Sequence, residues 1–131
     1  MNNQQSNYTF TPHDLRIGNV VNNYGGRRTI VDDTHLNWLF QYTNDFNESF
    51  SPIPITVEML VEELGYEKRG IAYITYNRNR DTRLSIIVLH TGKMMFCVYG
   101  QGITEFTYLH ELQNLHYDFT REMLTLKSKE K

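Results

Sequence analysis

The chain has 131 residues, 13 basic and 15 acidic side chains, and a single cysteine. That length suits one domain's core, the net charge of −2 removes the whole-surface basic field of a general nucleic-acid binder, and a lone Cys97 excludes an internal disulfide and any cysteine-built zinc site. No apolar run approaches the roughly 20 residues of a membrane-spanning helix, and "MNNQQSNYTFTPHD" lacks the basic start and apolar stretch of a signal peptide, so a cytoplasmic protein is expected.

Residues 1–11 read as a flexible polar lead-in. In "LRIGNVVNNYGGRRTIV", Leu15, Ile17, Val20 and Val21 precede a Tyr24-Gly25-Gly26 turn, and Ile30 and Val31 follow it. Glycine reaches positive φ without steric cost, so this is a hairpin. "LNWLFQY" (36–42) reads as a third strand of a small SH3-like unit spanning 12–42. "TNDFNESFSPIPI" (43–55) reads as a boundary, because Pro52 and Pro54 disfavour helix just before them.

Thr56 then has the character of an N-cap. Val57, Leu60, Val61 and Leu64 fall at helical spacing, Gly65 stops the helix, and Tyr66 folds back on it. Glu58, Glu62 and Glu63 lie off that stripe. Three strands follow, 71–76, 84–89 and 94–99, with a fourth at 103–108, all joined by hairpin links. Residues 56–126 are thus a helix–sheet–helix unit inside a single domain of 12–126, and 127–131 is a solvated tail. The whole is an α+β fold with small antiparallel sheets and two helices.

The closing segment "YLHELQNLHY" (108–117) comes within one residue of the H-E-x-x-H pattern of zinc proteases. That chemistry needs two imidazoles four residues apart on one helix face. Asn114 stands where the second should be, and an amide oxygen is a poor zinc ligand. His116 lies ~120° around the helix from His110 and cannot share an ion with it. Tyr108, Leu112, Leu115 and Phe119 instead form an apolar stripe, with His110, Gln113 and Asn114 as a polar edge that satisfies backbone groups of the sheet or loops. No metal and no other cofactor is implied.

Arg78, Arg80 and Arg83 share one hairpin loop, with Lys68 and Arg69 on its incoming side. Arg27 and Arg28 occupy the N-terminal hairpin. With Tyr73 and Tyr76 close by, these arginines would contact phosphates and stack bases if the loops converge; otherwise they are a solvated face. Neighbouring carboxylates, Asp32-Asp33 and Glu62-Glu63, point apart and form no two-carboxylate site. No phosphate loop, dinucleotide fingerprint or G-x-S-x-G motif occurs. The chemistry-bearing patterns therefore argue against an enzyme.

"DLRIGNVV", "PIPITVEMLVEELGYEK" and "YLHELQNLHYDFTREML", in that order, resemble a family of small proteins of Bacteroides-type bacteria, their prophages and mobile elements. Its members open with "LRIGN-x-V", carry a "PIPLTEEWL…FGF" helix and close on "HQLQNLYF-x-LTG-E-L". The likeness spans most of 14–124. Arg121 stands where that pattern has glycine, which suggests a last helix running on past Thr120. The resemblance implies a phage or mobile-element accessory protein and carries no activity with it. A non-catalytic protein that binds a host or phage protein is the leading expectation. The runner-up is a nucleic-acid-binding module using Arg27, Arg28, Arg78, Arg80 and Arg83; association into a homo-oligomer stays open.

Overall fold

A computed structural model describes residues 8–127, and they divide into two compact units, Met1–Ile53 and Pro54–Lys131. Both are antiparallel sheets with helices, so the fold is α+β. Among the described residues four helices are present where two were expected.

In the first unit, β1 (Val20–Asn23) pairs with β2 (Arg28–Ile30) across the expected Gly-Gly turn, Val20 opposite Ile30. Gly26 takes φ 81°, the conformation for which glycine is needed. Leu15 and Ile17 precede the strand and do not join it.

The expected third strand, 36–42, is part of a helix, α1 (Asp33–Gln41). Asp32 caps it, accepting from the His35 amide at 3.1 Å, while His35 Nδ1 accepts from the Asp32 amide at 3.1 Å. This box leaves the free donors of the first turn satisfied and starts the helix before its aromatic residues are reached. The Asp32 carboxyl is held below its usual range, first by that hydrogen bond from the His35 amide.

The boundary at 43–55 is structured as well. It contains α2 (Thr43–Ser49) and a short strand β3 (Phe50–Ser51), which pairs with β1 to complete a sheet of order β2-β1-β3. The unit is therefore a three-stranded sheet with two helices, its third strand supplied by Phe50–Ser51 and not by 36–42.

Its core collects Phe10, Leu15, Val21, Val31, Leu39 and Phe46. Trp38, Phe46 and Phe50 interlock edge-to-face and stacked, with centroids 4.5–5.9 Å apart. Of the expected flexible lead, Phe10 belongs to this core and Tyr8 packs against it. Asn47 clasps Phe10 by both backbone groups, accepting from its amide at 2.6 Å and donating to its carbonyl at 2.9 Å. Residues 1–7 lie outside the described residues.

The second unit opens with α3 (Val57–Glu62), capped by Thr56, whose hydroxyl accepts from the Met59 amide at 3.2 Å. Gly65 ends it at φ 80°, and Tyr66 folds back, buried, its amide donating to the Leu60 carbonyl. The buried face is Met59, Leu60, Glu63 and Leu64, so the helix is rotated from the expected stripe: Val61 is exposed and Glu63 is inside.

Five strands follow in sequential order. They are β4 (Glu67–Arg69), β5 (Ala72–Tyr76), β6 (Arg83–Val88), β7 (Met94–Val98) and β8 (Gln101–Phe106). The last four correspond to the expected meander, while β4 went unforeseen. Paired residues of an antiparallel sheet share a face. Leu84, Ile86, Met94, Phe96 and Phe106 share one, all buried.

The closing helix α4 (Leu109–Thr120) packs on that face, with Phe119 5.7 Å from Phe96 between ring centroids. It does not run on. Arg121 adopts φ 62° and caps it, its amide donating to the Tyr117 carbonyl. The left-handed C-cap position that glycine favours is thus filled by an arginine, at a cost of roughly 1 kcal/mol. The chain then passes under α4 as a strap, with Leu124 buried. Lys127, expected to begin the free tail, donates its amide to the Glu63 carbonyl at 2.7 Å; residues 128–131 lie outside the described residues.

Candidate functional site

On α4 the side chains turned inward are Leu109, His110, Leu112, Gln113 and His116. Sequence spacing had placed Tyr108, Leu112, Leu115 and Phe119 there. Leu112 alone of these is buried, and Phe119 keeps 42% of its surface in solvent. The supposed polar edge is therefore largely core. Gln113 Nε2 donates to the Leu124 carbonyl at 2.8 Å, holding the strap against the helix. Asn114 is half-buried.

Glu111, the glutamate of the protease-like motif, has a different task. Its carboxylate accepts from the Thr107 and Tyr108 amides at 2.9 and 3.0 Å, satisfying donors at the start of the helix. Two other buried polar groups stand out in this unit: the Tyr66 hydroxyl and His116 Nδ1 have no hydrogen-bond partner among the described residues. Burial raises the Tyr66 pKa and lowers that of His116, the latter opposed by Glu122. Among the described residues no group of three His, Cys, Asp or Glu is placed to hold a metal.

The arginines divide between the two units. Arg27 and Arg28 are exposed in the first unit's hairpin, while Arg78, Arg80 and Arg83 come together in the second unit's β5–β6 hairpin. Asn77 builds that loop. Its Oδ1 accepts from the Asp81 and Thr82 amides, both at 3.0 Å, and its Nδ2 donates to the Asp81 carboxylate at 2.6 Å. Arg80 sits at φ 61° with its guanidinium 4.2 Å from the Tyr76 ring centroid. Tyr73, the other tyrosine expected there, faces the opposite side of the sheet, with Lys68 5.9 Å from its ring. Arg69 is paired with Glu67 at 3.2 Å.

Sequence reading overlooked two residues of this end. Tyr99, at φ 52° in the β7–β8 turn, donates its hydroxyl to the Asp81 carbonyl and so ties the two hairpins together. Arg121 reaches the same end because Glu122 accepts from the Arg78 amide at 2.9 and 3.1 Å. The signal for Arg121 was present: an arginine in a slot where the resemblance expects glycine. Tyr99 carried none beyond its place in a Tyr-Gly turn.

The second face of the five-stranded sheet is a further candidate. One cross-strand row runs Glu67–Ile74–Ser85–Cys97–Gly102 and the next Arg69–Ala72–Ile87–Met95–Glu105. Ile74, Ile87 and Met95 are half-buried, and Ile103, at the bulge, is 44% exposed. Met95 lies across Gly102, where a Cβ would come within 3.3 Å of its sulfur, so glycine keeps this face flat. Cys97, in the first of these rows, is buried.

No protein-family model, no curated protein and no solved structure matches the chain.

Proposed function

We propose that this is a non-catalytic binding protein of phage or mobile-element type, working in the cytoplasm of a host cell, with another protein as its partner. The observation that carries the reading is the second face of the five-stranded sheet. Ile74, Ile87 and Met95 set aliphatic side chains on this face across three neighbouring strands, Ile103 stands at the bulge of the fourth, and all four keep part of their surface in water. Sheets that serve only as scaffold put polar residues at such positions, and contiguous exposed apolar surface marks interaction sites.

The strip ends in charge at both edges, Glu67 and Arg69 on β4 and Glu105 on β8. Glu67 and Arg69 already neutralise each other, which leaves Glu105 on β8 and Arg83, one row beyond Ile74 and Ser85 on the same face, as the charges bordering the strip. The partner this fits presents an apolar surface flanked by one basic and one acidic side chain. No described helix is long and apolar enough to cross a bilayer.

The test is affinity capture from lysogenic host cells with wild type and with Ile87→Lys, a substitution that leaves the packed face untouched. Proteins captured by wild type and lost with Ile87→Lys support the reading. The same proteins captured equally by a folded Ile87→Lys variant would refute it.

A further inference from the structure

Independently of the protein-docking face, we propose that one end of the five-stranded sheet is a binding site for single-stranded nucleic acid. The strands are sequential and antiparallel, so the β5–β6 and β7–β8 turns lie at the same end. The hydrogen bond from the Arg78 amide to Glu122 brings the last turn of α4 there as well. This end presents Arg78, Arg80, Arg83 and Arg121, all exposed, with Tyr76 half-buried and Tyr99 exposed.

The charges are available. Among the described residues none of these four guanidiniums is in an ion pair. The carboxylates beside them are engaged by neutral donors instead: Asp81 by Asn77 Nδ2 and the Thr82 hydroxyl, Glu122 by a backbone amide. Asp118, a turn before Arg121 on α4, is the third acid of the region. Arg83 extends toward the second hairpin, its guanidinium 3.4 Å from where a Gly100 Cβ would stand. Positive groups thus run along the whole sheet end.

Backbone conformation adds the second argument. The described chain has three non-glycine residues at positive φ, namely Arg80, Tyr99 and Arg121, and all three are at this end. Glycine or asparagine would adopt these angles more easily. Each position instead holds an arginine or a tyrosine, the residue types that contact phosphates and stack on bases. Strain of this kind collects where a side chain has a use. Arg80 lies over the Tyr76 ring and Arg121 sits 5.7 Å from the Tyr117 ring. Tyr99, two strands from Tyr76 and so ~10 Å away, offers an exposed ring to a second base. A flexible strand can lay its phosphates along the guanidiniums and its bases on the rings. A duplex keeps its bases stacked on each other and unavailable, and an acidic peptide has nothing to stack.

The experiment is fluorescence anisotropy of a labelled oligo(dT) or oligo(U) of roughly 20 nucleotides, longer than one such site, titrated with the full chain from about 50 to 200 mM salt. Four phosphate contacts predict a slope of log K against log salt of about −3. Arg80→Gly with Arg121→Gly relieves the backbone at both positions, so the variant keeps its fold while losing two charges. It should weaken binding at least tenfold and reduce the slope by ~1.4. Tyr99→Leu should weaken binding with the slope unchanged. Three results would each overturn the proposal: absence of binding at the lowest salt, affinity unaltered in the double glycine variant, or displacement by polyglutamate at the same charge concentration as by oligonucleotide. The last would assign the surface to an acidic protein.

Discussion

Replacing Leu109 or Phe119 by alanine distinguishes the observed orientation of α4 from the one that spacing alone suggests. Leu109 is fully buried and Phe119 is 42% exposed. Leu109→Ala removes three carbons, worth ~2.4 kcal/mol of transfer free energy at ~0.8 kcal/mol each. A residual hollow of ~50 Å³ adds ~1.2 kcal/mol, for a total of about 3.5 kcal/mol. Phe119→Ala forfeits only the covered part of its ring, and water fills the space, so about 1.5 kcal/mol is expected. Native-state amide exchange at Ile86 and Phe96, in the central strands beneath α4, reads the free energy of this unit directly. A cost for Phe119→Ala equal to or above that for Leu109→Ala would mean that the helix is turned as spacing predicts, with His110 and Gln113 at its edge.

Four further outcomes follow from the same packing. Gln113→Leu keeps the volume but strands the buried Leu124 carbonyl, and should cost about 1–3 kcal/mol with faster exchange in residues 122–127. Asn77→Ala removes the acceptor for two loop amides, and exchange at Asp81 and Thr82 should accelerate while that at Ile86 does not. His116 is held below its usual pKa by burial, so as pH falls the unfolded chain binds the proton first and stability declines below about pH 6.5. In urea titrations His116→Gln should flatten that decline by at most ~1.4 kcal/mol per pH unit, with no change above neutrality. Cys97, 1% exposed, should react with a thiol reagent only at the rate of unfolding or local opening; rapid labelling of native protein would mean the second sheet face is far more open than described.

Much of the second unit was legible because its signals are local. Thr56 and Gly65 bracket α3 by capping chemistry, and Gly92 and Gly100 close hairpins at positive φ. The first unit was not, since local composition pointed the other way. "LNWLFQY" is rich in aromatic residues and so resembles a strand, yet Leu36, Leu39 and Phe40 fall at helical spacing and Asp32 supplies the cap. "TNDFNES" looks like a linker because asparagine favours turns. Its Asn47 is instead a clasp on Phe10, thirty-seven residues away, and no local rule reports a contact at that distance. On α4, Leu112 belongs to the expected and to the observed stripe, while Leu109 belongs to the observed one alone. What decided the rotation was the burial of His110, Gln113 and His116, which hydropathy assigns to the surface. The arginine hairpin was visible as a cluster, but its extension to Tyr99 and Arg121 depends on strand order and on one carboxylate, Glu122.

Docking of a partner protein on the strip Ile74–Ile87–Met95–Ile103 is open to direct titration. Calorimetric titration of the captured partner against wild type, Ile87→Lys and a control outside the strip, Phe40→Ser in the first unit, measures it. A lysine placed in a desolvated aliphatic contact should weaken binding by at least 2 kcal/mol, or roughly thirtyfold, with Phe40→Ser unaltered. Equal affinity for wild type and a correctly folded Ile87→Lys would mean that no protein docks on this face.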